Sequence, residues 1–402
     1  MTSEWHEVPL RELVGYISKG IAPSYAEEAS ETTIRVLNQK CNRNFRISYG
    51  DSRLHDTLKK KVPPERYVKP DDILINSTGA GTAGRIAQIE DVPSATTIDG
   101  HMILIRSNRK VTQKFLGYAL KAHQWEVLQL DEGSTGQTEL NRDRLLDEIM
   151  INYPVSFDEQ NAIVGTLESI DRKLIVNEQL NDNLYAQAKA TTKQWISKST
   201  GDYELLPLSD IASINPDTYS PKETWKYVNY LDTSSITEGC IAEIQHITPS
   251  SEKLPSRARR KIAPNDIVFS TVRPNQRHYG IISEPLPNML GSTGFAVIRS
   301  KNPLVCNELI YLCLTENEFI EKMQQLAEQS TSTFPSIKPS DLGVCEIPCP
   351  KDQSSTSFTE TLKSLFALIA ANQRENISLS EIRDVLLPKL MSGGIDVSDI
   401  QL

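Results

Sequence analysis

Pro70-Asp71-Asp72-Ile73-Leu74 returns 194 residues later as Pro264-Asn265-Asp266-Ile267-Val268. Ile103-Leu104-Ile105-Arg106-Ser107 returns 193 residues later as Ala296-Val297-Ile298-Arg299-Ser300. Working outward, Ser134-Thr135-Gly136-Gln137-Thr138 is answered by Ser330-Thr331-Ser332-Thr333-Phe334, an offset of 196. Val8-Pro9-Leu10, with Leu13 after it, is answered by Leu206-Pro207-Leu208 and Ile211. Four matches in one order at a nearly constant spacing are a tandem duplication with a unit of roughly 195 residues. A unit that long carries its own core, and 402 residues suit two of them.

Within each copy the first part reads as short strands, brief, β-branched and bounded by Gly, Pro, Asp or Asn. In the first copy these are ILIN at 73–76, RIAQI at 85–89 and MILIRS at 102–107. In the second they are DIVFSTV at 266–272, YGIIS at 279–283 and GFAVIRS at 294–300. A short helical stretch follows in each, around 112–130 and 307–328.

Each copy then ends in a long helix. Ile163, Leu167, Ile170, Leu174, Asn177, Asn181, Leu184, Ala188, Thr191 and Trp195 alternate steps of four and three. Phe358, Leu362, Leu365, Ile369, Asn372, Asn376, Leu379, Arg383 and Leu386 do the same. That sustained alternation is a coiled-coil seam, and asparagine within it fixes register because a misaligned pair would bury unpaired amides. Asn177 and Asn181 stand 195 residues before Asn372 and Asn376, so the two helices are expected to pair with each other. Capping-box patterns at Ser156–Glu159 and Ser357–Glu360 mark their starts. Pro388 is expected to end the second at Leu387. The fold class expected is α+β: two duplicated, mostly-β globules separated by two long antiparallel helices.

The formal charge is −9, but two blocks run against it. Ten basic residues between 34 and 69 face three acids, and seven between 253 and 278 face one. Local basic fields of this kind neutralise phosphates whatever the net charge. No run approaches 18 consecutive apolar residues, and no basic-then-apolar leader opens the chain, so a cytoplasmic protein without a membrane role is expected.

Catalytic chemistry finds no complete constellation. Gly79-Ala80-Gly81-Thr82-Ala83-Gly84 matches a dinucleotide fingerprint, but a strand rather than a helix follows, so a hairpin loop is expected. The Asp-x-Lys of a metal-dependent nuclease occurs at Asp171-Arg172-Lys173, in mid-helix and far from any Pro-Asp strand. Cys345 and Cys349 lack a second pair, Cys306 and Cys313 read as buried helical thiols, and the six histidines form no ligand spacing. His278, beside Arg273 and Arg277, is the one histidine placed for a phosphate or base contact. No catalytic residue, metal site or cofactor is expected.

A duplicated unit with a β-rich half and a long helix resembles the specificity subunit of type I restriction-modification systems. The likeness rests on the repeats above, on Pro154…Gln160 before the first helix, and on LLPKLMSGGI at 386–395, which is similar to the family's usual C-terminus. Ser354 and Ser355 stand where the family has Glu-Gln. The resemblance implies target recognition domains at 1–155 and 199–352, spacer helices at 156–198 and 353–390, and a tail at 391–402. It implies that each domain reads half of a split, asymmetric sequence in double-stranded DNA. The helices would act as a ruler and dock two DNA adenine methyltransferase subunits, with two translocating endonuclease subunits joining the assembly. Readout needs Arg, Lys, Asn or Gln at base edges and Ser/Thr on phosphates. In the first domain the candidates are Lys59, Lys60, Lys61, Ser77, Thr78, Arg85, Thr135 and Gln137. In the second they are Arg259, Arg260, Lys261, Thr271, Arg273, Asn275, Gln276, Arg277, Ser332 and Thr333. A coiled-coil adaptor without DNA recognition, or a hydrolase with an unfamiliar site, remain alternatives.

Overall fold

A computed structural model describes residues 4–79, 81–132, 139–198, 201–220, 222–330 and 334–397. The chain divides into two compact units, residues 1–175 with 377–402, and residues 176–376.

The first unit is built on an antiparallel sheet in the order Val14–Lys19, Met102–Ser107, Ile73–Asn76, Ile86–Gln88. Alternate residues of its central strands serve two cores. Ile73, Ile75, Ile103 and Ile105 face a cluster containing Phe115, Leu116, Leu145, Ile163 and Leu167, whereas Leu74 and Leu104 face Leu37, Ile89 and Ile98. Burial on both faces explains why these strands read as unbroken apolar runs. A second sheet, ordered Thr96–Ile98, Thr33–Leu37, Arg53–Asp56, Tyr25–Ala26, begins with a parallel pair. Trp5–Pro9 pairs antiparallel with Met150–Pro154 and leads the chain into the helix Phe157–Lys198.

The second unit repeats this plan. Ala212–Ile214, Phe295–Ser300, Asp266–Ser270 and Tyr279–Ile282 form the antiparallel sheet, with Ile267, Phe269, Ala296 and Ile298 toward the helices and Val268, Phe295 and Val297 toward the other sheet. Met289–Ser292 again runs parallel to its neighbour, here Val228–Leu231. Tyr203–Pro207 pairs with Glu346–Pro350.

The repeated sequence motifs close the same joints in both units. Asp72 accepts a bidentate pair from Arg106 at 2.7 Å, and Asp266 accepts one from Arg299 at 2.7 and 2.8 Å. Both carboxylates are buried, and their hydrogen bonds push each guanidinium further toward the charged form. Each also accepts a backbone N–H three residues upstream, from Lys69 and from Ala263, at 2.7 Å. Ser107 and Ser300 each donate a hydroxyl, to Val111 and Val305, at 2.6 Å.

Long helical segments complete each unit. In the first, Ile163, Leu167 and Leu174 are buried, Ile170, Leu379 and Leu386 are half-buried, and Leu387, Leu390 and Met391 join the core containing Ile163. In the second, the antiparallel amides meet in order: Asn177 donates to Asn376 and Glu375 at 2.8 Å, and Asn372 donates to Asn181 at 2.9 Å. Asn177, Leu362 and Leu365 are buried there, with Leu184 and Ile369 half-buried.

Two boundaries differ from the sequence expectation. The second long helix spans Thr356–Met391 and runs through Pro388, because burial of Leu387, Leu390 and Met391 outweighs one lost hydrogen bond near its end. It stops at Gly393, whose φ of 71° lets the chain turn where a Cβ would lie 2.9 Å from the Trp5 ring. Its start is set by Asp352, which accepts the Ser354 N–H at 2.8 Å ahead of a single 3-10 turn, so Ser357 lies inside the helix and caps nothing. Ser156 does precede the first helix, accepting the Glu159 N–H at 3.4 Å.

Candidate nucleic-acid interface

In both units one hairpin joins the two strands at the end of the antiparallel sheet, and its turn carries most of the hairpin candidates. In the first unit the turn runs from Ser77 to Arg85, so the glycine-rich stretch links antiparallel strands. Ser77 is buried: its N–H donates to His101 O at 2.8 Å and its carbonyl accepts the Leu140 N–H at 2.8 Å. The Thr78 hydroxyl lies 2.8 Å from His101 Nδ1. Arg85 is exposed and donates to the Gly81 carbonyl at 3.2 Å. Gly84, at φ 85°, brings the turn against the helix Gln124–Leu128, where a Cβ would approach the Val127 carbonyl to 2.9 Å. Glu139 and Leu140 lie beside Thr78 and Ser77; Thr135 and Gln137 lie outside the described residues.

The second unit builds the corresponding turn from Thr271 to His278. Pro274–Gln276 make one 3-10 turn flanked by Arg273 and Arg277, both left-handed at φ 47° and 57°. Two arginines held in this sparsely populated region require fixing from outside, and the contacts supply it. Thr271, buried, donates N–H and hydroxyl to the Gly294 carbonyl at 2.8 and 2.9 Å. The Arg273 N–H donates to Pro335 O at 2.9 Å, and the Ile337 N–H donates to Thr271 O at 2.9 Å. Pro335 and Ile337 thus border this turn; Ser332 and Thr333 lie outside the described residues.

The side chains on this turn divide by what holds them. Arg277 bonds to Glu238 at 3.2 Å and Asn317 at 2.8 Å, and hydrogen bonding to Tyr279 and Glu238 raises its pKa further. His278 is half-buried with Nδ1 2.7 Å from the Ile236 carbonyl, which makes Nδ1 the protonated nitrogen. Asn275 and Gln276 are exposed. The Arg273 guanidinium lies 4.8 Å from the centroid of the Phe334 ring, itself 52% exposed.

The two lysine- and arginine-rich runs sit on other elements. Lys59, Lys60 and Lys61 follow the strand Arg53–Asp56 in a turn locked by Asp56, which accepts the Leu58 N–H at 2.9 Å. Lys59 lies 3.7 Å from Asp56, Lys60 donates to Ala22 O at 2.8 Å, and Lys61 is exposed. Buried His55 accepts the Ser24 N–H at Nδ1 and so donates from Nε2 to Lys60 O at 2.8 Å. Arg259, Arg260 and Lys261 lie on the edge strand Ala258–Lys261. Lys261 pairs with Glu223 at 2.7 Å and covers the Trp225 ring, and Arg259 donates to Ser256 O at 3.3 Å. Arg260 has a buried Nε without a hydrogen-bond partner, and that burial lowers its pKa.

Sequence reading missed His101 and Phe334. Both had a signal, since His101 opens the repeated strand and Phe334 follows the Ser/Thr block directly. Burial pushes the Cys306 and Cys313 thiols up to about 12, so neither is a nucleophile at neutral pH. Among the described residues no group of three or more His, Cys, Asp or Glu could hold a metal ion, and no helix is long and apolar enough to cross a membrane.

Residues 2–186 match the family model of the type I restriction modification DNA specificity domain. Over 133 residues the chain is 29% identical to the type I restriction enzyme HindI specificity subunit of Haemophilus influenzae, a match covering 33% of this chain and 29% of that relative. The fold is similar to that of the crystallised type I restriction-modification S subunit from M. genitalium, with a TM-score of 0.56 and 16% identity over 97% of this chain and 96% of that one.

Proposed function

We propose that this chain is a type I restriction-modification specificity subunit, that it reads a bipartite, asymmetric DNA target, and that it leaves every bond-making step to partner chains. The domains at 1–155 and 199–352 each read one half. The helices Phe157–Lys198 and Thr356–Met391 form an antiparallel coiled coil that sets the distance between the halves. Their outer faces dock two DNA adenine methyltransferase subunits, and two translocating endonuclease subunits join the assembly.

One observation carries this reading. The same hairpin turn bears different side chains in the two units: Thr78, which faces His101, and Arg85 in one, Arg273, Asn275 and Gln276 in the other. A shared scaffold with unlike donors is what reading two unlike half-sites requires. Arg260 adds support as a guanidinium on the edge strand Ala258–Lys261, a cation of the kind that meets a phosphate.

The test is reconstitution. The purified chain alone transfers no methyl group to DNA; mixed with its methyltransferase, it confers sequence-specific adenine methylation. Methylation by the chain alone, or partner methylation with the same sequence preference in its absence, contradicts the proposal.

A further inference from the structure

We infer that Arg273, aimed by Phe334, reads a guanine in the half-site of the second unit. The inference rests on the bipartite reading above and assigns a base to one residue of it.

The two arginines of this turn look alike in sequence and differ in what they can do. Arg277 is held by Glu238 and Asn317, so two of its donors are taken by neighbouring surface side chains. Arg273 has its backbone fixed, by its left-handed conformation and by the bond to Pro335, while its guanidinium rests on an aromatic face. Stacking on a ring orients the guanidinium plane and leaves its edge N–H groups for other acceptors. A planar fork so oriented matches one base edge, the O6 and N7 acceptors of guanine in the major groove. Asn275 and Gln276 follow on the same exposed turn. Among the described residues, the matching turn of the first unit has no such device: Thr78 faces His101, and Arg85 folds back on the Gly81 carbonyl. The guanine contact therefore belongs to one half-site only.

Phe334 is a positioning residue. It is half exposed, so replacing it removes little core, and its ring acts on DNA through Arg273.

The experiment uses the full chain assembled with its methyltransferase and sequences methylated adenines across a randomised DNA library. The wild-type motif has a guanine in one half that Arg273→Ala relaxes, lowering discrimination at that single position by roughly five- to 150-fold. Arg273→Lys loses most of this discrimination despite keeping the charge. Phe334→Leu weakens it at the same position by a smaller factor, and Phe334→Tyr restores it. Three results overturn the inference: the relaxed position is not guanine, Arg273→Ala weakens modification of all sequences equally, or Phe334→Leu leaves that position untouched. A wild-type complex with no two-part motif instead refutes the bipartite reading itself, before any variant is compared.

Discussion

Where the long helices meet the short ones, the first unit is polar and the second aromatic. In the first, Asp171 accepts from Lys121 at 2.9 Å, from the Tyr118 hydroxyl at 2.9 Å and from Arg383 at 3.2 Å. In the second, the rings of Tyr185, Tyr311 and Phe366 meet edge to face within 5.8 to 6.2 Å. An offset of 195 residues carries Asp171 onto Phe366 and Arg383 back onto buried Ala188. Either filling closes the junction, so this position drifts in chemistry while the fold persists. The Asp–Arg pair at the sheet does not drift: it is the same in both units because it ties two central strands and two loops at once. What repeats between the units reports the fold, and what differs is free to report function.

The largest expected effect tests the part that repeats. Asp72→Ala and Asp266→Ala each remove a buried carboxylate that accepts a bidentate pair and a backbone N–H, costing about 3–5 kcal/mol. Hydrogen exchange should show the loss confined to the first unit for Asp72→Ala and to the second for Asp266→Ala. Loosening of both units by either substitution would mean that they do not fold as separate cores.

The junctions should part company in acid. Burial alone would raise the Asp171 carboxyl, yet the charge and hydrogen bond of Lys121, the Tyr118 hydroxyl and Arg383 outweigh it and hold the carboxyl below the usual carboxylate range. A carboxyl so depressed stabilises the fold above its unfolded value, and the contribution is lost as pH falls through the folded value. The aromatic junction has no such group. Amide protection over 157–175 and 377–391 should therefore fade on acidification before that over 176–198 and 356–376, and Asp171→Asn should abolish the difference while costing roughly 3 kcal/mol at neutral pH. Simultaneous fading in the wild type would show that the contrast has no energetic consequence.

Arg260→Gln is the smallest effect on stability and the plainest on binding. With Nε unpartnered, its removal should shift stability by less than about 0.5 kcal/mol. The salt dependence of DNA binding should fall by a slope of about one if it meets a phosphate. An unchanged slope would assign the residue to the protein's own packing.

Much of this architecture was legible in the sequence because the chain states it twice. The strands at 73–76 and 102–107 fall where β-branched runs between turn residues placed them, and the seam asparagines meet in the expected order. Legibility failed where tertiary burial overrode a local rule, as at Pro388, and where a cap pattern recurred by chance, as at Ser357. The interface was less readable still. TVRPNQRH lists its donors in a row, but only the fold shows that Arg277 is tied to Glu238 and Asn317 and that Arg273 lies on Phe334, 61 residues away.

The most direct measurement lengthens both helices. Four residues inserted after Ile175 and four after Asn376, where the two units divide, add about 6 Å of helix, or nearly two base pairs at roughly 3.4 Å each. Sequencing of methylated sites should then return both half-sites unchanged with the gap between them widened by about two base pairs. An unaltered gap, or a motif that was one continuous block from the start, would contradict two reading heads held apart by a helical ruler.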